Sequence, residues 1–148
     1  MKTYKLNDLN NPLISVLMPA YNAEKYIKEA IESILNQTFS NFEFIIIDDG
    51  SIDATEEIIK SFKDSRIVYI KNEKNLGLIK TLNKGISIAR GEFIARMDSD
   101  DISMPQRFEL QLDVFKKYKG VDIVNVALKK MSEDGTKLSK YRHKLFII

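Results

Sequence analysis

FEFIIIDDGS, residues 42–51, runs five apolar side chains out of six into two carboxylates, a glycine and a serine. A strand with one wet face alternates apolar and polar residues. This run does not, and so reads as a strand buried on both faces, the habit of parallel sheets covered by helices on either side. Its polar tail falls where such sheets hold ligands, just beyond the carboxyl ends of their strands.

The same pattern recurs on both sides of it. LISVLM (13–18) is followed by PAYN (19–22), RIVYI (66–70) by NEKNLG (72–77), and EFIARM (92–97) by DSDD (98–101). VDIVNVA (121–127) reads as a fifth strand. Helical spacing fills the intervals. Tyr26, Ile27, Ala30, Ile31, Ile34 and Leu35 share one face, with Asn22 as the expected N-cap. DATEEIIKSF follows, with Asp53 and Glu56 spaced like a capping box. LIKTLNKGISIA carries Leu78, Ile79, Leu82, Ile86 and Ala89, and Gly91 suits its stop. Pro105 opens a helix through Phe108, Leu112 and Phe115. SEDGTKL holds the Asp-Gly pair of a tight turn. Strands alternating with helices predict an α/β domain with a mostly parallel sheet.

Bulk properties narrow the chemistry. The 148 residues suffice for one domain with a core, and 44% hydrophobic with 30% charged residues marks a globular chain. A net charge of +2 without a basic block gives no reason to expect nucleic acid. No cysteine is present, which excludes disulfides, thiolate metal sites and a cysteine nucleophile. The single histidine, His143, leaves no basis for a histidine metal site. Any metal chemistry must therefore use oxygen ligands. MKTYKLNDLNNP lacks the apolar core of a signal peptide, and no apolar run approaches the ~20 residues that cross a bilayer.

Candidate functional residues sit in the four polar tails. If the strand continues, Asp98 and Asp100 point the same way, because side chains alternate with period two. Two converging carboxylates repel unless a cation lies between them, and Mg²⁺ or Mn²⁺ suits such hard ligands. The competing reading is a solvated turn in which Asp101 or Ser103 caps the next helix. Asp49 can accept N–H donors from a nucleobase edge, while Gly50 permits a positive φ. Ser51 and Asp53 read as caps. Tyr21 offers a ring for stacking or is a core residue with a wet hydroxyl. Arg96 and Arg107 are candidate phosphate partners or surface ion pairs.

Taken as a set, ISVLMPAYN (14–22), ESILNQTFSNFEFIIIDDGSIDAT (32–55) and KNLGLIKTLNKGISIARGEFIARMDSDDISMPQRFELQ (74–111) resemble the blocks of family 2 glycosyltransferases, the inverting GT-A class. The likeness covers residues 13–127. It implies a three-layer, Rossmann-like GT-A domain over 13–127, after a lead-in at 1–12 and before a hairpin and truncated segment at 128–148. It also implies a nucleotide-sugar donor, foremost a UDP-sugar, bound with Mn²⁺ or Mg²⁺. Donor binding would fall on Pro19, Ala20, Tyr21, Asn22, Asp49, Gly77, Asp98 and Ser99. The metal would fall on Asp98 and Asp100, with Asp100 favoured as the direct ligand.

One departure stands out. Inverting transfer needs a general base for the acceptor hydroxyl. In this family that carboxylate lies beyond the DXD segment, and after SEDG the chain holds only TKLSKYRHKLFII, without an acid. The chain thus reads as the donor-binding portion of a longer enzyme, truncated before the acceptor-binding half. It is expected to bind nucleotide and to transfer sugar poorly. The acceptor, saccharide or lipid-linked, is not readable, and polysaccharide synthesis is a family-level expectation. A cytoplasmic place, membrane association of the full-length enzyme and a homodimer are further expectations. Alternatives are a non-catalytic nucleotide-binding or assembly module, a nucleotidyltransferase and a phosphoacceptor domain. The nucleotidyltransferase lacks its basic glycine loop here, and the phosphoacceptor lacks an acidic pair after the first strand. The glycine fingerprints of P-loop and dinucleotide-binding proteins are absent.

Overall fold

The computed structural model describes residues 11–127 and Ser132. The chain divides into two compact units between Pro105 and Gln106. The first unit contains β1 (Ile14–Ala20), α1 (Ile27–Leu35), β2 (Phe42–Asp48), α2 (Thr55–Ser61), β3 (Ile67–Lys71), α3 (Leu78–Ile88) and β4 (Phe93–Arg96). The second contains α4 (Arg107–Lys117).

The four strands form one sheet in the order β3-β2-β1-β4, and every pairing is parallel. That order dictates the layers. The steps β1 to β2 and β2 to β3 run the same way along the sheet, so right-handed crossovers place α1 and α2 together on one face. The step from β3 back to β4 runs the other way and puts α3 on the opposite face. Contacts agree: α1 packs on α2, while α3 packs on β1 and β2. A sheet with helices on both faces is the three-layer α/β arrangement expected.

Burial explains why the central strands β1 and β2 are mostly apolar. Val16, Met18, Phe42, Phe44 and Ile46 are fully buried, and so are Ile27, Ile31 and Ile34 of α1. Each such side chain contributes roughly 1.5–3 kcal/mol relative to exposure. On the other face Leu17, Ile45 and Ile47 pack with Val68, Ile70, Leu82 and Ala89. Gly85 lets α3 lie close there: a Cβ would stand 3.1 Å from Ile47 Cδ1 and 3.3 Å from a Leu17 methyl.

The acid inside the apolar run, Glu43, is also buried. It accepts from Ser15 Oγ at 2.6 Å, from the Arg90 N–H at 2.7 Å and from Arg90 Nε at 2.8 Å. A buried charge survives only with such partners.

Several local expectations change. Residues 121–127 form no strand: Ile123 is 69% exposed and Val126 40%, so the apolar run lacks the burial that would hold it in a sheet. Asn22 does not cap α1, whose N-cap is Tyr26. The Asp53–Glu56 capping box does not form. Asp53 instead accepts N–H donors from Glu24 and Thr55. Glu56 pairs with Lys60 at 2.5 Å and with Lys71, and these hydrogen bonds pull its carboxyl down to about 2. Gly91 lies past α3, whose C-cap is Ala89. α4 begins at Arg107 with Gln106 as N-cap, so Pro105 precedes its first turn. Neither Asp101 nor Ser103 caps it. The 128–148 hairpin lies outside the described residues, Ser132 aside. Among the described residues no helix is long and apolar enough to cross a membrane.

Candidate functional site

β1 is the point at which the strand order reverses, with β2 on one side and β4 on the other. In open parallel sheets a ligand crevice forms at the carboxyl ends of the strands flanking such a point. A cleft of about 390 Å³ lies there, lined by Pro19, Ala20, Tyr21, Asp49, Asn75, Gly77, Leu78, Arg96, Asp98, Ser99 and Asp100. The structure therefore brings together seven of the eight expected donor residues, and both expected metal ligands. Asn22 is the exception. A larger, shallower depression of about 590 Å³ runs along α2, but a single helix and the turn before it form its walls.

Asn22 braces the cleft from behind. It sits at φ 48°, its N–H donates to Ser51 Oγ at 2.9 Å, and its Oδ1 accepts the Ile52 N–H at 3.0 Å. Ala23 N–H donates to Thr55 Oγ1 at 2.8 Å, and Ala54 N–H to Glu24 Oε2 at 3.0 Å. These bonds zip the loop after β1 to the loop after β2. Gly50 turns that second loop at φ 78°, as the tight turn requires, and buried Asp48 accepts the Ser51 N–H at 2.8 Å. Tyr21, 49% exposed, stands on this rigid support with its ring available to a ligand.

Asp49 is the buried acid of the cleft, at 4% exposure. Oδ1 accepts from Asn72 Nδ2 at 2.7 Å and from the Leu76 N–H at 3.0 Å, and Oδ2 accepts the Gly77 N–H at 2.9 Å. Burial alone would raise its pKa. The donors of Leu76, Asn72, Thr81 and Gly77 outweigh burial and hold the carboxyl below its ordinary range. Gly77, at φ 86° and ψ 157°, occupies backbone space open essentially to glycine alone.

The DSDD segment departs from its expected geometry. Strand pairing ends at Arg96, the Met97 N–H still reaches Leu17 O at 2.9 Å, and the chain then turns. Asp98 and Asp100 reach one cleft through that turn rather than through an extended strand. Arg96 Nη2 donates to Asp98 Oδ1 at 2.7 Å. Both partners are about half exposed, and such a pair contributes little to stability. Arg107 belongs to the second unit, where it donates to Gln111 at 3.2 Å.

Two supports have no counterpart in the sequence expectations. Gln37 Nε2 reaches Ser33 O at 3.1 Å, Ser103 Oγ at 3.1 Å and Met104 O at 2.8 Å. The Thr38 N–H donates to Pro105 O at 2.9 Å. The end of α1 thereby holds the chain just after DSDD. Asn72, Thr81 and Lys84 stand behind Asp49. Asn72 directly follows β3, the position that carries chemistry elsewhere in the sheet, and that signal could have singled it out.

The donor set fits a hard cation only in part. Three carboxylates line the cleft, but Asp49 is taken up by N–H donors, which leaves Asp98 and Asp100, and among the described residues no group of three or more acidic, histidine or cysteine side chains could enclose a metal. An ion held there must take its other ligands from water or from a bound anion, as Mg²⁺ commonly does.

Comparison with known proteins places this geometry in a family. The model for glycosyl transferase family 2 matches residues 15–147. An uncharacterised glycosyltransferase of Methanocaldococcus jannaschii is 43% identical over 141 residues, covering 93% of this chain and 49% of the relative. The Escherichia coli UDP-Glc:alpha-D-GlcNAc-diphosphoundecaprenol beta-1,3-glucosyltransferase WfgD is 37% identical over 123 residues, covering 79% of this chain and 49% of that protein. Staphylococcus aureus TarS 1-349 in complex with UDP-GlcNAc superposes with a TM-score of 0.67 at 31% identity, over 70% of this chain and 31% of that one. The chain spans about half the length of these two curated relatives.

Proposed function

The chain belongs to glycosyl transferase family 2, and from that premise we propose that its cleft is the donor site of an enzyme transferring a sugar from a UDP-sugar to an acceptor with inversion, assisted by Mn²⁺ or Mg²⁺. One observation carries the reading. An exposed aromatic ring, an ionised acceptor carboxylate and a pair of oxygen ligands converge in one cleft at the sheet's reversal point. Tyr21 would stack on the base and Asp49 would accept its N–H. Asp98 and Asp100 would hold the cation, with Arg96 beside them. When bound, such a cation neutralises the diphosphate and the leaving nucleotide. The UDP-sugars named for WfgD and for the TarS complex favour uridine over other bases.

The acids lining the cleft are all assigned to the donor. A base for the acceptor hydroxyl is therefore not among them, and the chain alone is expected to bind donor while turning it over poorly. Calorimetric titration of UDP with Mn²⁺, with EDTA and into Asp100→Ala tests the reading. Binding should require metal and weaken at least about tenfold in the variant. Binding indifferent to both would remove the cation from the site, and preference for GDP would replace uridine.

A further inference from the structure

Behind Asp49 runs a chain of side chains that touches no part of the cleft's surface. Lys84 Nζ, on α3, donates to Asn72 Oδ1 at 2.6 Å. Asn72 Nδ2 donates to Asp49 Oδ1 at 2.7 Å. Neither Asn72 nor Lys84 lines the cleft. We infer that Asn72 and Lys84 are positioning residues that aim the Asp49 carboxylate at the ligand's base, an assignment resting on the donor reading above.

The chemistry of the three groups leaves one arrangement. An ammonium can only donate and a carboxylate can only accept. Placed between them, the Asn72 amide must turn its oxygen to Lys84 and its nitrogen to Asp49. Asn72 itself cannot move away: it is 3% exposed, its backbone N–H donates to Asp48 O at 2.8 Å, and its amide lies 3.4 Å from Thr81 Oγ1. Asp49 in turn holds the Leu76 and Gly77 N–H groups. The loop after β2 is thus linked through Asn72 to a side chain of α3. Without Asn72 the carboxylate keeps its backbone donors from Leu76 and Gly77 but loses the shorter bond that Asn72 makes to Oδ1.

A base-less ligand separates this role from simple support of the fold. UDP and ribose 5-diphosphate, each with Mn²⁺, are titrated into the wild-type chain, Asn72→Ala, Lys84→Met and Lys84→Arg, with circular dichroism checking the fold of each. Asn72→Ala should weaken UDP about tenfold and leave ribose 5-diphosphate within about twofold. Lys84→Met should show the same selective loss to a smaller degree, and Lys84→Arg should restore it. Equal weakening of both ligands, or none, in folded Lys84→Met and Asn72→Ala would overturn the inference while the donor reading stands. A wild-type chain with no preference for UDP over ribose 5-diphosphate would overturn both.

Discussion

A methyl group on Gly91 would stand 2.4 Å from the backbone nitrogen of Ser15 and 2.7 Å from the carbonyl carbon of Ile14. Both are backbone atoms of a central strand, so neither can yield without disturbing the sheet. The residue's own N–H donates to Ser15 Oγ at 2.8 Å. What reads in sequence as a helix stop is thus a close approach between the connection to β4 and the start of β1. Gly91→Ala is expected to cost about 3 kcal/mol or more, read as a lower urea midpoint. An unchanged midpoint would mean that the connection is looser than drawn. The carboxylate two atoms deeper behaves differently. Burial would raise the Glu43 pKa, but Ser15 and Arg90 hydrogen bonds bring it below the ordinary 4.5. A depressed folded value stabilises the protein above the ordinary pKa and loses that stability as pH falls through the folded one. Glu43→Gln should therefore be less stable by about 2 kcal/mol near neutrality. The gap should shrink below about pH 4.5 in denaturation curves taken across pH. A gap constant down to pH 2 would show that the carboxylate's charge is not what matters.

At the scale of elements, the end of α1 controls a loop 67 residues away in sequence. Ser33, Gln37 and Thr38 bind residues 103–105, so the turn bearing Asp98 and Asp100 is tied at one end by β4 and at the other by α1. Gln37→Leu keeps the volume and removes the donors, leaving Met104 O and Ser103 Oγ without them. Stability should fall by about 1–3 kcal/mol. In folded protein, metal-dependent UDP affinity should fall several-fold by calorimetry, because the acids lose their fixed spacing. Full affinity in a destabilised variant would confine Gln37 to a structural role.

At the scale of the whole molecule, the cleft lies where strands from both crossover directions meet, so a ligand there touches loops after β1, β2 and β4 and the start of α3. Binding only the folded state, UDP with Mn²⁺ at 100 times its Kd should raise stability by ~2.7 kcal/mol, or Tm by roughly 10 °C. EDTA should abolish that rise without lowering the ligand-free Tm, since Asp49 is held by N–H donors and only Asp98 and Asp100 remain in the cleft for a cation. A drop on EDTA alone would point to a structural metal instead.

Within residues 13–101 the central strands β1 and β2 are buried on both faces and α1 along one stripe, whereas the edge strands β3 and β4 are only partly buried. Apolar patterning located β1 to β4 and α1 to α3 to within a few residues at their ends, but not the buried face of α3, where Thr81 and Gly85 are buried while Leu78, Ile79 and Ile86 are exposed. It also located the polar tails whose Tyr21, Asp49, Asp98 and Asp100 line the cleft, although no one of them was decisive alone and only the four tails together pointed to a site. Residues 121–127 show the limit: an apolar run can stay outside any strand, with Ile123 exposed. The order β3-β2-β1-β4, the partners of Glu43, the brace at Asn22 and the Lys84–Asn72–Asp49 chain were decided by the tertiary structure. Composition and spacing record which side chains must leave water. Which polar groups then meet depends on contacts between residues dozens of positions apart, and these exist only once the sheet is assembled.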